Sequence, residues 1–289
     1  MKRTNKPIKV LIMSVGPYSA NTTAHFFNKI GGKEHCVVCL PFAKEFNADT
    51  YIDKGFEVFL YDEKKYINAD FEYFGFNRCN CGGVGRQGIA EAVDKYGDDY
   101  MCIQIDDDTS SIAVRPKDGK QKNITKWGNF ERLYYAYNDF YEDLHIELMS
   151  KTGATPNNYF VVNRKIFNNF IMRKGNDLNY DGFKALCSDD YRYNYYRNIV
   201  QGVPMLSCGR SVIMFKQAQG DRKDGNAPLY NGDCSWKKAF ALKMMFPWAV
   251  NLKIAKETNR MLFREEIAAS KLYPPISLSE NGNIVAKVI

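Results

Sequence analysis

The sequence predicts an α/β fold built on a parallel sheet, and three observations carry that expectation. Short apolar, β-rich runs recur through the first half, at 9–14, 35–40, 56–61 and 100–105. Helix-like stretches fall between them: 21–29, a short helix or turn at 50–54, and 88–96, where Ile89, Ala92, Val93 and Tyr96 recur at helical spacing. Strands alternating with helices are the order of βαβ units, whose strands run parallel. The first and fourth runs then end in distinctive loops, Ser14-Val15-Gly16-Pro17-Tyr18 and Asp106-Asp107-Asp108. Parallel sheets bind ligands beyond the carboxyl ends of their strands, so both loops are expected on one edge.

The second half is more mixed. Residues 129–149 predict one long helix or two, and 158–163 a strand entering a helix at 164–173. A tyrosine-rich helix is expected over 189–201, and strand-like residues fill 204–215. A Gly/Asp/Lys/Asn loop at 217–232 precedes a helix over 234–246, stopped by Pro247. The expected organisation is a main domain over 1–215 with a loop-helix extension, 216–289, packing on it. The chain shows no internal repeat.

Composition sets outer bounds. The 289 residues are 45% hydrophobic and 25% charged, enough apolar material for the core of one large domain. A net charge of +7 fits an anionic ligand or a nucleic acid, and equally a solvated basic surface. The apolar stretch at 8–13 is short and soon broken by Gly16-Pro17, unlike a signal peptide. No run approaches the roughly 18 residues that span a membrane. The expectation is a cytoplasmic protein with no membrane partner, in host cytoplasm if phage-encoded, with reduced cysteines. Cys36 and Cys39, with Cys79 and Cys81, raise a zinc site as one reading. Small core residues are the other, because 36–40 has the character of a buried strand.

The acidic triplet is the sharpest feature. Adjacent carboxylates repel one another and need a cation or donors. Magnesium or manganese takes hard oxygen ligands and leaves positions for phosphate oxygens. If strand geometry persists, Asp106 and Asp108 point the same way, one for metal and one for a ribose or sugar hydroxyl. A solvated turn or helix N-cap accounts for the same residues. Upstream, Gly83-Val84-Gly85-Arg86-Gln87-Gly88 matches the G-x-G-x-x-G spacing of a dinucleotide site. The residues before it are polar and irregular, whereas that fingerprint needs a strand there. Its alternative role is a loop in which Arg86 meets a diphosphate or an aspartate.

Together these pieces resemble the nucleotide-sugar glycosyltransferases of the GT-A fold. The strand-loop at 10–16, the helix opened by Gly85-Arg86-Gln87-Gly88, and Ile105-Asp106-Asp107-Asp108 carry the likeness, the last resembling the family's D-x-D motif. Ser188-Asp189-Asp190-Tyr191 is similar to its acidic acceptor-side motif. The layout is closest to the TET-associated glycosyltransferases of phage DNA hypermodification. The resemblance implies a Rossmann-type mixed sheet flanked by helices and a nucleoside-diphosphate sugar donor, such as a UDP-sugar, bound with Mn2+ or Mg2+. It implies Asp106 and Asp108 as metal ligands. Ser14, Val15, Gly16, Tyr18, Arg86, Gln87, Asp106 and Asp107 would line the donor site, and Asp189 or Asp190 would be the catalytic base if the reaction inverts stereochemistry, with a helix N-cap as their other reading. The late histidine that many members use as a ligand has no counterpart, since the only histidines are His25, His35 and His145. Asp221, Asp224, Asp233 or water would substitute.

The resemblance implies DNA as the acceptor, and there a 5-hydroxymethylpyrimidine, because an unmodified base offers no suitable hydroxyl. Arg192 among Tyr191, Tyr193, Tyr195 and Tyr196, and the run Lys117, Lys120, Lys122 and Lys126, suit a nucleic-acid backbone and extruded bases, and equally tyrosines packed on the sheet and solvated lysines. The competing expectations are transfer to a glycan, protein or small molecule, an NAD-binding oxidoreductase using the glycines, and a non-catalytic binding module.

Overall fold

The computed structural model describes residues 5–66, 82–116, 119–153, 169–174, 197 and 201–215, and parts of the C-terminal region between 239 and 286. The first strands are β1 (Ile8–Met13), β2 (Cys36–Pro41), β3 (Glu57–Tyr61) and β4 (Met101–Asp106). They are parallel, in the spatial order β3-β2-β1-β4. Their near-continuous apolar runs follow from burial on both faces: β2 is buried at every position and β1 at all but its last. The intervening helices are α1 (Thr22–Ile30), α2 (Ala48–Ile52) and α3 (Gly82–Tyr96). Asn21 caps α1 by accepting the Ala24 N–H at 2.8 Å, and Gly31 ends it in a left-handed conformation at φ 75°. The predicted α/β architecture with a parallel core is therefore observed.

Beyond β4 the chain builds a second sheet. It contains β5 (Thr109–Val114), β6 (Lys122–Asn123), β7 (Glu147–Thr152) and β9 (Met205–Phe215), ordered β6-β5-β9-β7. The helix α4 (Trp127–Leu144) precedes β7, and β8 (Asn169–Met172) returns to the main sheet antiparallel to β4, making it mixed. Asn169 fastens the sheets together. Its side chain accepts the Ser150 N–H at 2.9 Å, donates to the Ser150 carbonyl at 3.2 Å, and accepts the Tyr134 hydroxyl at 3.0 Å.

Two apolar layers cover the main sheet. On one face, Val10, Ile12, Val38 and Ile103 meet α1, α2 and an aromatic column from α4. Phe27 and Phe130 stand edge to face at 5.1 Å, and Tyr134 follows Phe130 at 4.6 Å. On the other face, Leu11, Val37, Cys39 and Cys102 meet Val84, Ile89 and Val93 of α3.

Three expectations are corrected. The helix expected over 129–149 stops at Leu144, where His145 takes φ 56°, and the next residues pair with β9 as β7. The helix expected over 164–173 is strand at its end: Asn169–Met172 is buried at all four positions, which suits a sheet better than one helix face. The C-terminal extension is helical at 239–240 and 242–244, but then forms hairpins. Strand β10 (Val250–Glu257) pairs antiparallel with β11 (Arg260–Ile267), and β12 (Ile276–Leu278) with β13 (Ile284–Ala286). The alternation Val250, Leu252, Ile254 against Asn251 and Lys253 is the period-two signal of that strand. The elements expected at 158–163 and 217–232 lie outside the described residues, as does all of 189–201 but Arg197 and Gln201.

Candidate functional site

The chain runs β1, β2, β3 in one direction across the sheet, then crosses back to place β4 on the other side of β1. The strand order thus reverses at β1, and the edge beyond the carboxyl ends of β1 and β4 is where open α/β sheets bind ligands. The residues filling that position are Ser14–Tyr18 after β1 and the acidic triplet after β4. The register Met13↔Asp106 brings the two loops side by side.

Asp107 faces the β1 loop. The Ser14 hydroxyl donates to Asp107 Oδ2 at 3.0 Å, and the Thr23 N–H donates to the Asp107 carbonyl at 3.2 Å. Tyr51, fully buried, organises this side. Its hydroxyl donates to the Gly16 carbonyl at 2.8 Å, accepts from Asn21 Nδ2 at 3.1 Å, and lies 3.2 Å from Ser14 Oγ. Burial pushes the Tyr51 phenol up to about 12, so it stays a neutral donor. Asn47 holds the same loop by donating to the Val15 carbonyl at 3.1 Å. Thr50 Oγ1 accepts the Tyr18 N–H at 3.0 Å, and the Tyr18 ring packs on His25 with centroids 4.3 Å apart. Thr23 clamps the turn itself: its hydroxyl donates to the Asp106 carbonyl and accepts the Thr109 N–H at 2.9 Å.

Asp106 faces α3. Arg86 Nη1 donates to Gln104 Oε1 at 2.6 Å, and Gln104 Nε2 donates to Asp106 Oδ1 at 2.7 Å. The guanidinium also lies 3.6 Å from Asp106 Oδ1. Arg86 is 5% exposed and Gln104 fully buried. The glycines explain how Arg86 gets there. A Cβ on Gly85 would stand 2.3 Å from Met13 Sδ, and one on Gly88 would stand 2.4 Å from the Tyr61 ring. Their absent side chains let α3 sit close on the sheet. The glycine stretch lies inside a helix rather than in a strand-to-helix turn, so it packs the helix and does not form the dinucleotide fingerprint.

The site thus gathers Ser14, Val15, Gly16, Tyr18, Arg86, Asp106 and Asp107, with Gln87 buried next to Arg86 in α3. Arg86 serves an aspartate. Asp108 follows in the turn, half-buried. Strand geometry ends at Asp106, so the argument that Asp106 and Asp108 share a direction does not apply. Asp189 and Asp190, and the alternatives Asp221, Asp224 and Asp233, lie outside the described residues. Gln104, Thr23, Asn21, Asn47 and Tyr51 were not anticipated. Only Gln104 had a local signal, a polar residue inside an apolar strand.

The triplet's crowding is partly relieved by protein donors, so repulsion alone no longer calls for a cation. Among the described residues no three His, Cys, Asp or Glu side chains converge as a metal cage. The donor chemistry nonetheless fits magnesium or manganese, which are commonly held by one or two carboxylates together with substrate phosphates and water. The zinc reading fails for Cys36 and Cys39. They lie in the opposite apolar layers of the sheet, and burial pushes both thiols upward. Lys120, Lys122 and Lys126 are exposed around β6 and the start of α4; Lys117 lies outside the described residues. No described helix is long and apolar enough to cross a membrane. No protein-family model matches the chain, and no curated protein matches its sequence.

Proposed function

We propose that the chain is a metal-dependent glycosyltransferase of the GT-A type. It would move a sugar from a nucleoside-diphosphate sugar, a UDP-sugar, to the hydroxyl of a 5-hydroxymethylpyrimidine in DNA. The supporting observation is the acidic turn Asp106–Asp108 at the strand-order reversal, hydrogen-bonded to Ser14 of the β1 loop on one side and, on the other, to Gln104 and in an ion pair with Arg86 of α3 at 3.6 Å. Carboxylates at a ligand-binding edge suit a divalent cation, which in turn takes phosphate oxygens.

In this reading Asp106 and Asp108 would hold Mn2+ or Mg2+. A metal held there would supply positive charge for the departing diphosphate. The Ser14–Tyr18 loop, fixed by Tyr51 and Asn47, presents a rigid wall to the nucleoside. A carboxylate takes the proton of the acceptor hydroxyl as the glycosidic bond forms, a role assigned to Asp189 or Asp190. The exposed Lys120, Lys122 and Lys126 supply positive charge for a DNA backbone.

The test is mass spectrometry of acceptors incubated with mixed sugar nucleotides and Mn2+. The expected result is a hexose or pentose mass gain on hydroxymethylcytosine DNA and none on unmodified DNA. Transfer only to glycan, protein or small-molecule acceptors would redirect the acceptor assignment. Stabilisation by NAD with no response to any nucleoside diphosphate would overturn the glycosyltransferase reading.

A further inference from the structure

A glutamine inside a central strand is costly unless its amide is satisfied on both ends. Gln104 sits in the middle of the main sheet, between β1 and β8, with no exposed surface. The chemistry of its neighbours fixes its orientation. A guanidinium only donates, so the Gln104 carbonyl oxygen must face Arg86. An ionised carboxylate only accepts, so the Gln104 amide nitrogen must face Asp106. The observed bonds, 2.6 and 2.7 Å, have that polarity. A chain of polar contacts therefore runs from the helix through the sheet interior and ends on a carboxylate whose side chain is 19% exposed.

Resting on the glycosyltransferase reading, we infer that Gln104, oriented by Arg86, is the positioning residue that fixes the Asp106 carboxylate for metal and donor. The packing supports this role over a purely structural one. Gly85 and Gly88 bring α3 close enough for Arg86 to reach Gln104, and the register Met13↔Asp106 sets the carboxylate beside the β1 loop. Arg86 also places a positive charge 3.6 Å from Asp106 Oδ1. Outer-shell hydrogen bonds of this kind orient ligating carboxylates, and their loss typically lowers metal affinity about 10–100-fold.

The experiment measures Mn2+ binding in the presence of uridine diphosphate, by the electron paramagnetic resonance signal of free Mn2+. It compares the wild-type chain, Gln104→Met, and the double variant Arg86→Met/Gln104→Met. The double variant removes the buried charge together with its partner, a change that leaves many folds intact. Circular dichroism and melting without metal establish that it is folded. The expected result is a loss of Mn2+ affinity of about tenfold or more in both variants. In an Asp106→Asn background the same substitutions should add no further loss, because their effect passes through Asp106. Wild-type affinity in the folded double variant, or losses that simply multiply with Asp106→Asn, would overturn the inference while leaving the glycosyltransferase reading in place. Absence of any Mn2+ response in the wild-type chain with uridine diphosphate or other nucleoside diphosphates would overturn both.

Discussion

The two faces of the main sheet are covered by different means. On the α4 face, large rings fill the space: Phe27, Trp127, Phe130, Tyr134 and Tyr137 pass contacts from one to the next over the apolar strands. On the α3 face, glycines remove bulk, and Gly85 and Gly88 bring helix and sheet together. The first face gains stability from buried aromatic area. The second gives up side-chain volume and helix propensity, and in return Arg86 reaches Gln104 and, through it, the acidic turn. Both faces carry apolar core, and the α3 face also brings a charge into a dry interior next to the candidate site.

The largest expected effect lies on the aromatic face. Phe130→Ala should lose about 3–5 kcal/mol of stability, because the ring is fully buried within the column. Chemical denaturation would show it, and a loss under 1 kcal/mol would mean the column relaxes around the gap. The close-packed face makes a more discriminating prediction. Gly88→Ala should cost about 1–3 kcal/mol in overpacking against the Tyr61 ring, offset by about 1 kcal/mol of helix propensity. Gly85→Ala meets the flexible Met13 side chain instead, so its net change should be near zero. Equal melting temperatures for the two variants would contradict a close approach set by Tyr61.

A smaller effect is expected at the β1 loop. Tyr51→Phe removes the phenol bonded to Gly16 and Asn21 and should cost about 1 kcal/mol. It also carries a pH signature. The folded phenol titrates at about 12, above its ordinary value of 10.0. The unfolded chain therefore releases this proton first, and the contribution present below pH 10 is lost as pH rises towards 12. Melting curves across that window should fall less steeply for Tyr51→Phe than for the wild type.

Particular residues show what was legible beforehand. The strands β1 to β4 follow from short apolar, β-rich runs, the helix at 82–96 from its helical spacing, and the acidic end of β4 from the run of three aspartates. Strand β8 and the start of β7 read as helix from the sequence, because four buried residues in a row carry no period of their own. The proximity of Ser14 and Asp107 was legible as two loops on one edge. The bond between them was not, because it depends on the register of β1 against β4.

The sequence by itself therefore determined the parallel α/β core and the place where carboxylates collect, since both rest on patterns within a few residues. Only the tertiary structure decided what surrounds them. It placed Arg86 on Gln104, made Tyr51 and Thr23 the clamps of the two loops, and turned a glycine spacing with the look of a phosphate loop into a packing surface. Those outcomes depend on strand order and helix-to-sheet distance, which emerge when segments 18–93 residues apart compete for the same buried space.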